Sequence, residues 1–454
     1  MKRCGGIGAR RRQTFVLAGA AIAALFLAAQ PASALPSYAR QTGQQCAACH
    51  NGFPELTPYG RLFKLNGYVF GGGQSDLPPL AMMVIGDYTH TETGQTGGAA
   101  THYGPNNNFA FPDTASLFYG GRVIGDLGIG AFAQATYNDV PRSIHWDNTD
   151  IRWAKSTTLG GETVFGVSLN NNPTVTDLWN TTPAWRFPFV ASPGLAPTPS
   201  SHTMIESTYA QQDLGLNAYM MWNRLVYAEI GGYKTLSRGT DSAVGVNPTG
   251  TDSFNGVAPY WRLALQPQWG RSSFEIGTFG MAASITPGRV SGFGTDHKTD
   301  IGFDAQYQFL TDQHSISAQA SWISENQNLT STFAQGGSAN SNNHLRSLNI
   351  KTSYYYDQTY GATLGYFRTD GSGDSGLYGT TSSVNSPNSA GWTAELDYIP
   401  FNHGGPDVWP WLNMKVGLQY VRYAKFNGAT NNYDGAGRNA SDNNTLLLFD
   451  WIAF

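Results

Sequence analysis

From Leu80 onward the apolar residues recur at every second position rather than every third or fourth, a period that admits strands and excludes amphipathic helices. Ile301, Phe303, Ala305, Tyr307 and Phe309 alternate with Gly302, Asp304, Gln306 and Gln308. Ile316, Ala318, Ala320 and Trp322 alternate with Ser317, Gln319 and Ser321, and the same pattern returns at Trp392–Tyr398 and Met414–Tyr420. Segments of about ten residues, apolar on one face and polar on the other, fit strands that cross an outer membrane. A soluble sandwich alternates in the same way, so composition has to separate the two. Charged residues make up only 13% of the 454, against about 25% in an ordinary soluble domain. The 12 Trp, 23 Tyr and 24 Phe argue against disorder, and the chain ends on Phe454. The one long apolar run, Phe15–Ala29, is shorter than the roughly 20 residues a spanning helix needs. Lys and Arg are scattered and the net charge is −4, which leaves no electrostatic footprint for nucleic acid. The expected fold is an all-β transmembrane barrel.

Seventeen candidate strands can be marked, starting near residues 80, 116, 127, 149, 162, 203, 213, 224, 257, 271, 300, 313, 345, 359, 391, 411 and 443. Bacterial single-chain barrels normally carry an even number. Long and short connections alternate except around 203–236, where two short turns follow in succession, so the 203–211 segment is assigned to a loop. About 16 antiparallel strands remain. Turns are short on the periplasmic side and loops long outside. The long loop expected at 91–115 therefore sends the first strand outward and leaves both termini on the periplasmic side. Loop 171–202 holds Trp179, Trp185, Phe187 and Phe189, unusually aromatic for a solvent loop. Folding inward over the pore and anchoring at the membrane interface both fit that composition.

The first residues read as an export signal. Lys2, Arg3 and Arg10–Arg12 precede the apolar run, and Ala32-Ser33-Ala34 supplies a small-residue cleavage pattern. Cleavage after Ala34 removes five positive charges and no negative ones, so the net charge falls from −4 to −9 and Cys4 is lost. The expected division is a signal peptide at 1–34, a short segment at 35–79 and a porin-like barrel at 80–454.

Both remaining cysteines lie in Cys46-Ala47-Ala48-Cys49-His50, a C-x-x-C-H motif that reads as c-type haem attachment. Two thiols add to the two vinyl groups of one porphyrin, and the adjacent imidazole reaches the iron. A redox-active disulfide would call for a thioredoxin-like βαβ setting, which the surroundings lack. Half a zinc site would need a second pair of ligands nearby. The expected cofactor is one covalent haem c, with Cys46 and Cys49 as attachment points and His50 as proximal iron ligand.

A distal ligand is less legible. Between Leu35 and Pro79 there is no Met and no His other than His50. Met83, in strand phase with Asp87, is the nearest candidate, with Lys64 and Tyr68 as less usual donors. Taken singly, each fits ordinary packing as well. Arg40 and Lys64 are candidate partners for haem propionates. About 40 residues is too small for a self-supporting core, so the segment is expected to plug the mouth or lumen of the barrel.

The stretch Leu35–Tyr68 carries Pro36, Ala39-Arg40, the motif at 46–50, Pro54, Leu56, Gly60, Phe63-Lys64 and Gly67-Tyr68. In these residues, and in Asn170–Thr174 and Trp179–Pro183 within the barrel, it resembles the outer-membrane monohaem cytochrome–porin fusions, whose best-known members are iron oxidases. The resemblance implies a haem held in a porin in the outer membrane of a Gram-negative bacterium. It implies electrons passing from an extracellular donor such as Fe(II) to a periplasmic cytochrome c or similar carrier, an Fe(II):cytochrome c oxidoreductase activity. No dense cluster of Asp, Glu and His marks a dedicated Fe(II) site. The alternative reading is a passive porin or solute channel in which the segment is a plug or gate.

Overall fold

The computed structural model describes residues 36–69, 78–95, 102–158, 160–182, 195–246, 251–404 and 411–454. The expected signal peptide lies outside the described residues, as do Trp185, Phe187 and Phe189. Three short helices come first: α1 (Pro36–Thr42), α2 (Cys46–Cys49) and α3 (Pro58–Leu65). Sixteen long strands follow, β1 (Leu80–Thr91), β2 (Asn107–Ile124), β3 (Ile129–Asn138), β4 (Ser143–Thr157) and β5 (Thr163–Asn170). After a one-turn helix, α4 (Pro173–Thr176), come β6 (Asp213–Trp222), β7 (Val226–Thr235), β8 (Ala258–Leu265), β9 (Ser272–Thr286), β10 (Asp296–Leu310) and β11 (His314–Asn328). The last five are β12 (Asn342–Tyr356), β13 (Tyr360–Gly371), β14 (Ser389–Tyr398), β15 (Asn413–Lys425) and β16 (Thr445–Ala453).

Each strand pairs antiparallel with its sequence neighbours, and β1 pairs with β16 from Met83↔Ala453 to Thr91↔Thr445. The sheet is thus closed and has no edge strand. Ser253–Phe254 and Gln268–Trp269 add two-residue rungs to β9. Among the described residues, no helix is long and apolar enough to cross a membrane.

Burial follows the strand period, with the polarity reversed from that of a soluble protein. On β10, Ile301 and Phe303 are 43% and 53% exposed, whereas Asp304, Gln306 and Gln308 are buried. Trp392, Leu396, Leu418 and Leu448 likewise stand outward while Glu395, Asp397 and Gln419 are buried. An apolar outer surface and a polar inner one suit a wall between lipid and lumen.

The count of sixteen agrees with the sequence reading, and 203–211 is not a wall strand: Met204–Thr208 forms a helical turn. Its Met204, Ile205 and Tyr209 pack with Tyr233, Tyr260, Phe279 and Ile285 on the inner wall. Two strand starts differ by more than four residues. β2 begins at Asn107 rather than near 116, so the first loop is shorter than 91–115. Its start is Asn-rich and contains Pro112, which cannot donate to a ladder; a bulge between Ile85 and Asp87 of β1 absorbs the misfit. β4 begins at Ser143 rather than near 149, and the β3–β4 connection is a tight turn, not a long loop. A bulge opposite Ala133–Ala135 sets two residues of β4, Asp147 and Asn148, against the single Gln134; the one extra residue shifts the alternation out of phase and hides the strand's first half.

Candidate functional site

The motif is held by local capping. Thr57 caps α3, its Oγ1 accepting from Gly60 N at 3.2 Å, with Pro58 in the first turn. The same hydroxyl donates to Ala48 O at 2.6 Å, and Thr57 N donates to Cys49 O at 2.9 Å. α2 and α3 therefore lock together around the cysteines. Gly60 sits so close to the Cys49 carbonyl that a Cβ would collide with backbone. Gly52 has φ +63°, and a Cβ there would strike the Tyr355 hydroxyl. Both positions require glycine.

Hydrogen bonds tie this segment to the barrel at the end where the connections are short. Arg61, only 1% exposed, donates through Nη1 to Gln306 and Gln308 Oε1 at 2.9 and 3.0 Å. Gln308 Nε2 donates to Glu55 Oε1 at 2.5 Å, and Ser315 Oγ donates to Asn51 Oδ1. Ala47 N donates to Asn402 O at 3.2 Å, Tyr68 Oη to Asp150 Oδ2 at 2.6 Å and Tyr219 Oη to Leu65 O at 2.7 Å. From the opposite end, 171–182 folds inward. Trp179 is fully buried, stacks edge-on against Tyr227 at 5.4 Å and donates from Nε1 to Gln266 at 2.8 Å. Asp177 of this strap lies 3.4 Å from Arg262, which also pairs with Asp304. The strap meets the segment at Lys64, whose Nζ donates to Val175 O and, at 3.2 Å, to Asp177 O.

Beside His50 a cavity encloses about 1160 Å³ of atom-free space, solvent at its mouth included. Its walls come from the segment (Tyr38, Phe53, Leu56, Phe63, Lys64 and Tyr68), the strap (Thr174 and Val175) and the barrel (Met83, Phe118, Phe132 and Trp451). His50, Met83, Lys64 and Tyr68 thus share one cavity. Met83 is buried on the inner face with Asp87, as their common phase predicts. Arg40 is not part of the cavity wall: its Nη2 donates to Pro78 O and Leu80 O at 3.2 and 2.8 Å. The sequence reading did not single out Tyr38 or Trp451; Trp451 was within reach, since it shares the inner phase of β16 with Phe449.

The donor set fits a covalent haem. Burial pushes the Cys46 and Cys49 thiols up to about 12, the opposite of the lowered pKa that activates a redox dithiol. Burial pushes His50 down to about 4, with the Pro54 and Glu55 carbonyls working the other way. The imidazole is neutral, as an iron ligand must be, and its buried Nδ1 has no hydrogen-bond partner. Phe53 stands 4.8 Å from the His50 ring and 5.9 Å from Trp451. Among the described residues, no group of three or more His, Cys, Asp or Glu is placed to hold a free metal ion.

No family profile matches the chain, and no curated protein does. Among solved structures it is similar to the outer-membrane channel DcaP of Acinetobacter baumannii, at 13% identity and a TM-score of 0.43, over 83% of this chain and 96% of that one. It is similar to an anion-selective porin from Comamonas acidovorans at 10% identity and a TM-score of 0.44, over 82% and 98%. OmpT of Vibrio cholerae gives 10% identity and a TM-score of 0.41, over 83% and 96%.

Proposed function

We propose that this chain is an outer-membrane barrel whose N-terminal segment plugs the periplasmic mouth and holds one haem c, forming an electron conduit between an extracellular donor and a periplasmic carrier. The observation that carries this reading is the C-x-x-C-H motif with His50 lining an apolar cavity built jointly by segment, strap and wall. Lipid is the natural partner of the outward apolar face. Bound in this cavity, a haem supplies a one-electron redox couple. Cys46 and Cys49 would hold it through thioethers and His50 would ligate the iron, while Phe53, Phe63, Phe118 and Phe132 exclude water. Burial and ligation then set the potential. The short-turn end, taken as periplasmic, is where a soluble cytochrome c would dock. Fe(II) is the favoured donor, because a redox centre reachable from outside keeps insoluble ferric product out of the cell.

The barrel by itself supports the passive-channel reading more directly, since a closed sixteen-stranded wall with a polar inner face is what a porin requires. A second cleft favours it too: about 1270 Å³ of atom-free space, outer solvent included, lined by Thr181, Thr182, Ser321, Ser347, Asn349 and Thr393. The double variant Cys46→Ala/Cys49→Ala separates the readings. In proteoliposomes enclosing a cytochrome c, the conduit predicts that external Fe(II) reduces the enclosed carrier through the native chain and not through the variant, whose barrel stays intact. Equal transfer through both would leave the passive channel.

A further inference from the structure

The cavity holds several side chains that bind iron, yet most are already engaged. Lys64 donates to the Val175 and Asp177 carbonyls. Lys415 pairs with Glu395 at 2.7 Å and Asp397 at 3.1 Å. Tyr68 donates to Asp150 at 2.6 Å. The Asp177 carboxylate accepts from Trp179 N, Thr181 and Thr182. Met414 also borders the cavity and is half-buried, but on β15 it is in phase with Leu418 and Tyr420, which stand outward, not with the inward Lys415 and Gln419. Two donors remain. Tyr38 has a buried hydroxyl without a hydrogen-bond partner. Met83 lies on the inner face of β1, 6% exposed, in one packed cluster with Phe63, Tyr68, Phe118, Phe132 and Val175.

The two differ in chemistry. Tyrosine ligates ferric iron as the phenolate, and burial holds the Tyr38 hydroxyl well above its ordinary value of 10.0, with Asp150 adding to the effect. A thioether needs no deprotonation and tolerates an apolar wall. On the haem reading of the site, we infer that Met83 would be the second side chain to ligate the iron, so that His50 of the segment and Met83 of the barrel wall would hold it together. The consequence is mechanical as well as electronic. Residues 33 positions apart in sequence, one on the plug and one on β1, are joined through the iron, and loss of Met83 loosens the segment from the wall. Sulfur ligation also places the potential above that of a bis-imidazole site.

The test uses the full mature chain in detergent. An alkaline pyridine spectrum first establishes covalent haem c in wild type, Met83→Leu, Met83→His and Tyr38→Phe; leucine conserves volume while removing sulfur. Wild type and Tyr38→Phe are expected to show the far-red sulfur-to-iron charge-transfer band of the ferric protein. Met83→Leu is expected to lose that band and to bind carbon monoxide when reduced. Met83→His is expected to give a six-coordinate spectrum without the band and a lower potential. A band missing from wild type, retained in haem-loaded Met83→Leu, or lost in Tyr38→Phe overturns the assignment. A pyridine spectrum without haem c in wild type removes the haem reading itself, and the inference with it.

Discussion

Tyr68 Oη donates to Asp150 Oδ2 at 2.6 Å, and Arg152 Nε donates to that same oxygen at 2.7 Å. Tyr68 closes the N-terminal segment and Asp150 belongs to β4, so this three-residue junction fastens the segment to the wall in a setting that excludes water. Tyr68→Phe keeps the ring against Tyr38, stacked at 5.7 Å, and removes only the hydroxyl. A hydrogen bond to a charged group is worth about 1.5–3 kcal/mol. The variant is therefore expected to expose residues 36–69 to protease faster than wild type while the barrel keeps its strand content; equal cleavage rates would refute the junction's role.

Arg61 works in the same way on the opposite wall. Its guanidinium donates to Leu56 O, Gln306, Gln308 and Ser273. Arg61→Met keeps the stem and leaves several buried acceptors unmatched, each costing about 1–3 kcal/mol. Amide hydrogen exchange across 46–68 should accelerate at least tenfold, with exchange in β10 and β11 little changed. Unchanged exchange in the segment would contradict this.

How much of this was legible beforehand divides along physical lines. Alternation on β10, β11, β14 and β15 is a property of successive residues, and it carried strand identity, face and count. The C-x-x-C-H motif is equally local. The starts of β2 and β4 were hidden because bulges break the period of 2 that revealed the rest. Of the barrel's share of the cavity wall, only Met83 was singled out from the sequence, because strand phase gives the side chain's direction; His50, Lys64 and Tyr68 came from the segment. Tyr38 reaches the cavity from a helix of seven residues, too short to show a periodic face. Asp150 and Arg152 sit in an alternating strand like many lumen-facing polar residues, and nothing local marks them as partners of Tyr68.

If the segment fills the mouth, deleting residues 36–69 should open the barrel to ions. In planar bilayers the deletion is expected to show larger, steadier single-channel conductance than the native chain, where segment and strap meet at Lys64. Equal conductance would mean that the segment does not obstruct the lumen.

Lys64 gives the site a pH dependence. Burial lowers its pKa from 10.5 to about 8, with Arg152 pushing the same way and Asp150 and Asp177 opposing. Between about pH 8 and 10.5 the unfolded chain keeps the proton and the folded chain does not. Stability therefore rises with pH across that window and is flat below it, where both states are charged. The reduction potential moves oppositely: losing a positive charge beside the redox centre disfavours the reduced form, so the potential should fall as pH rises through 8. Spectroelectrochemical titration should show that step in wild type and its absence in Lys64→Met; an identical step in both would assign it to another group.

The most direct test of the conduit is the visible spectrum of the purified mature protein, oxidised, before and after anaerobic addition of Fe(II). The account predicts a c-type spectrum before addition and the sharp bands of the reduced form after it, in a ratio of one haem per chain. A protein without haem absorbance, or one whose bands respond to a strong reductant and not to Fe(II), would contradict it, the first removing the haem and the second removing iron as the donor.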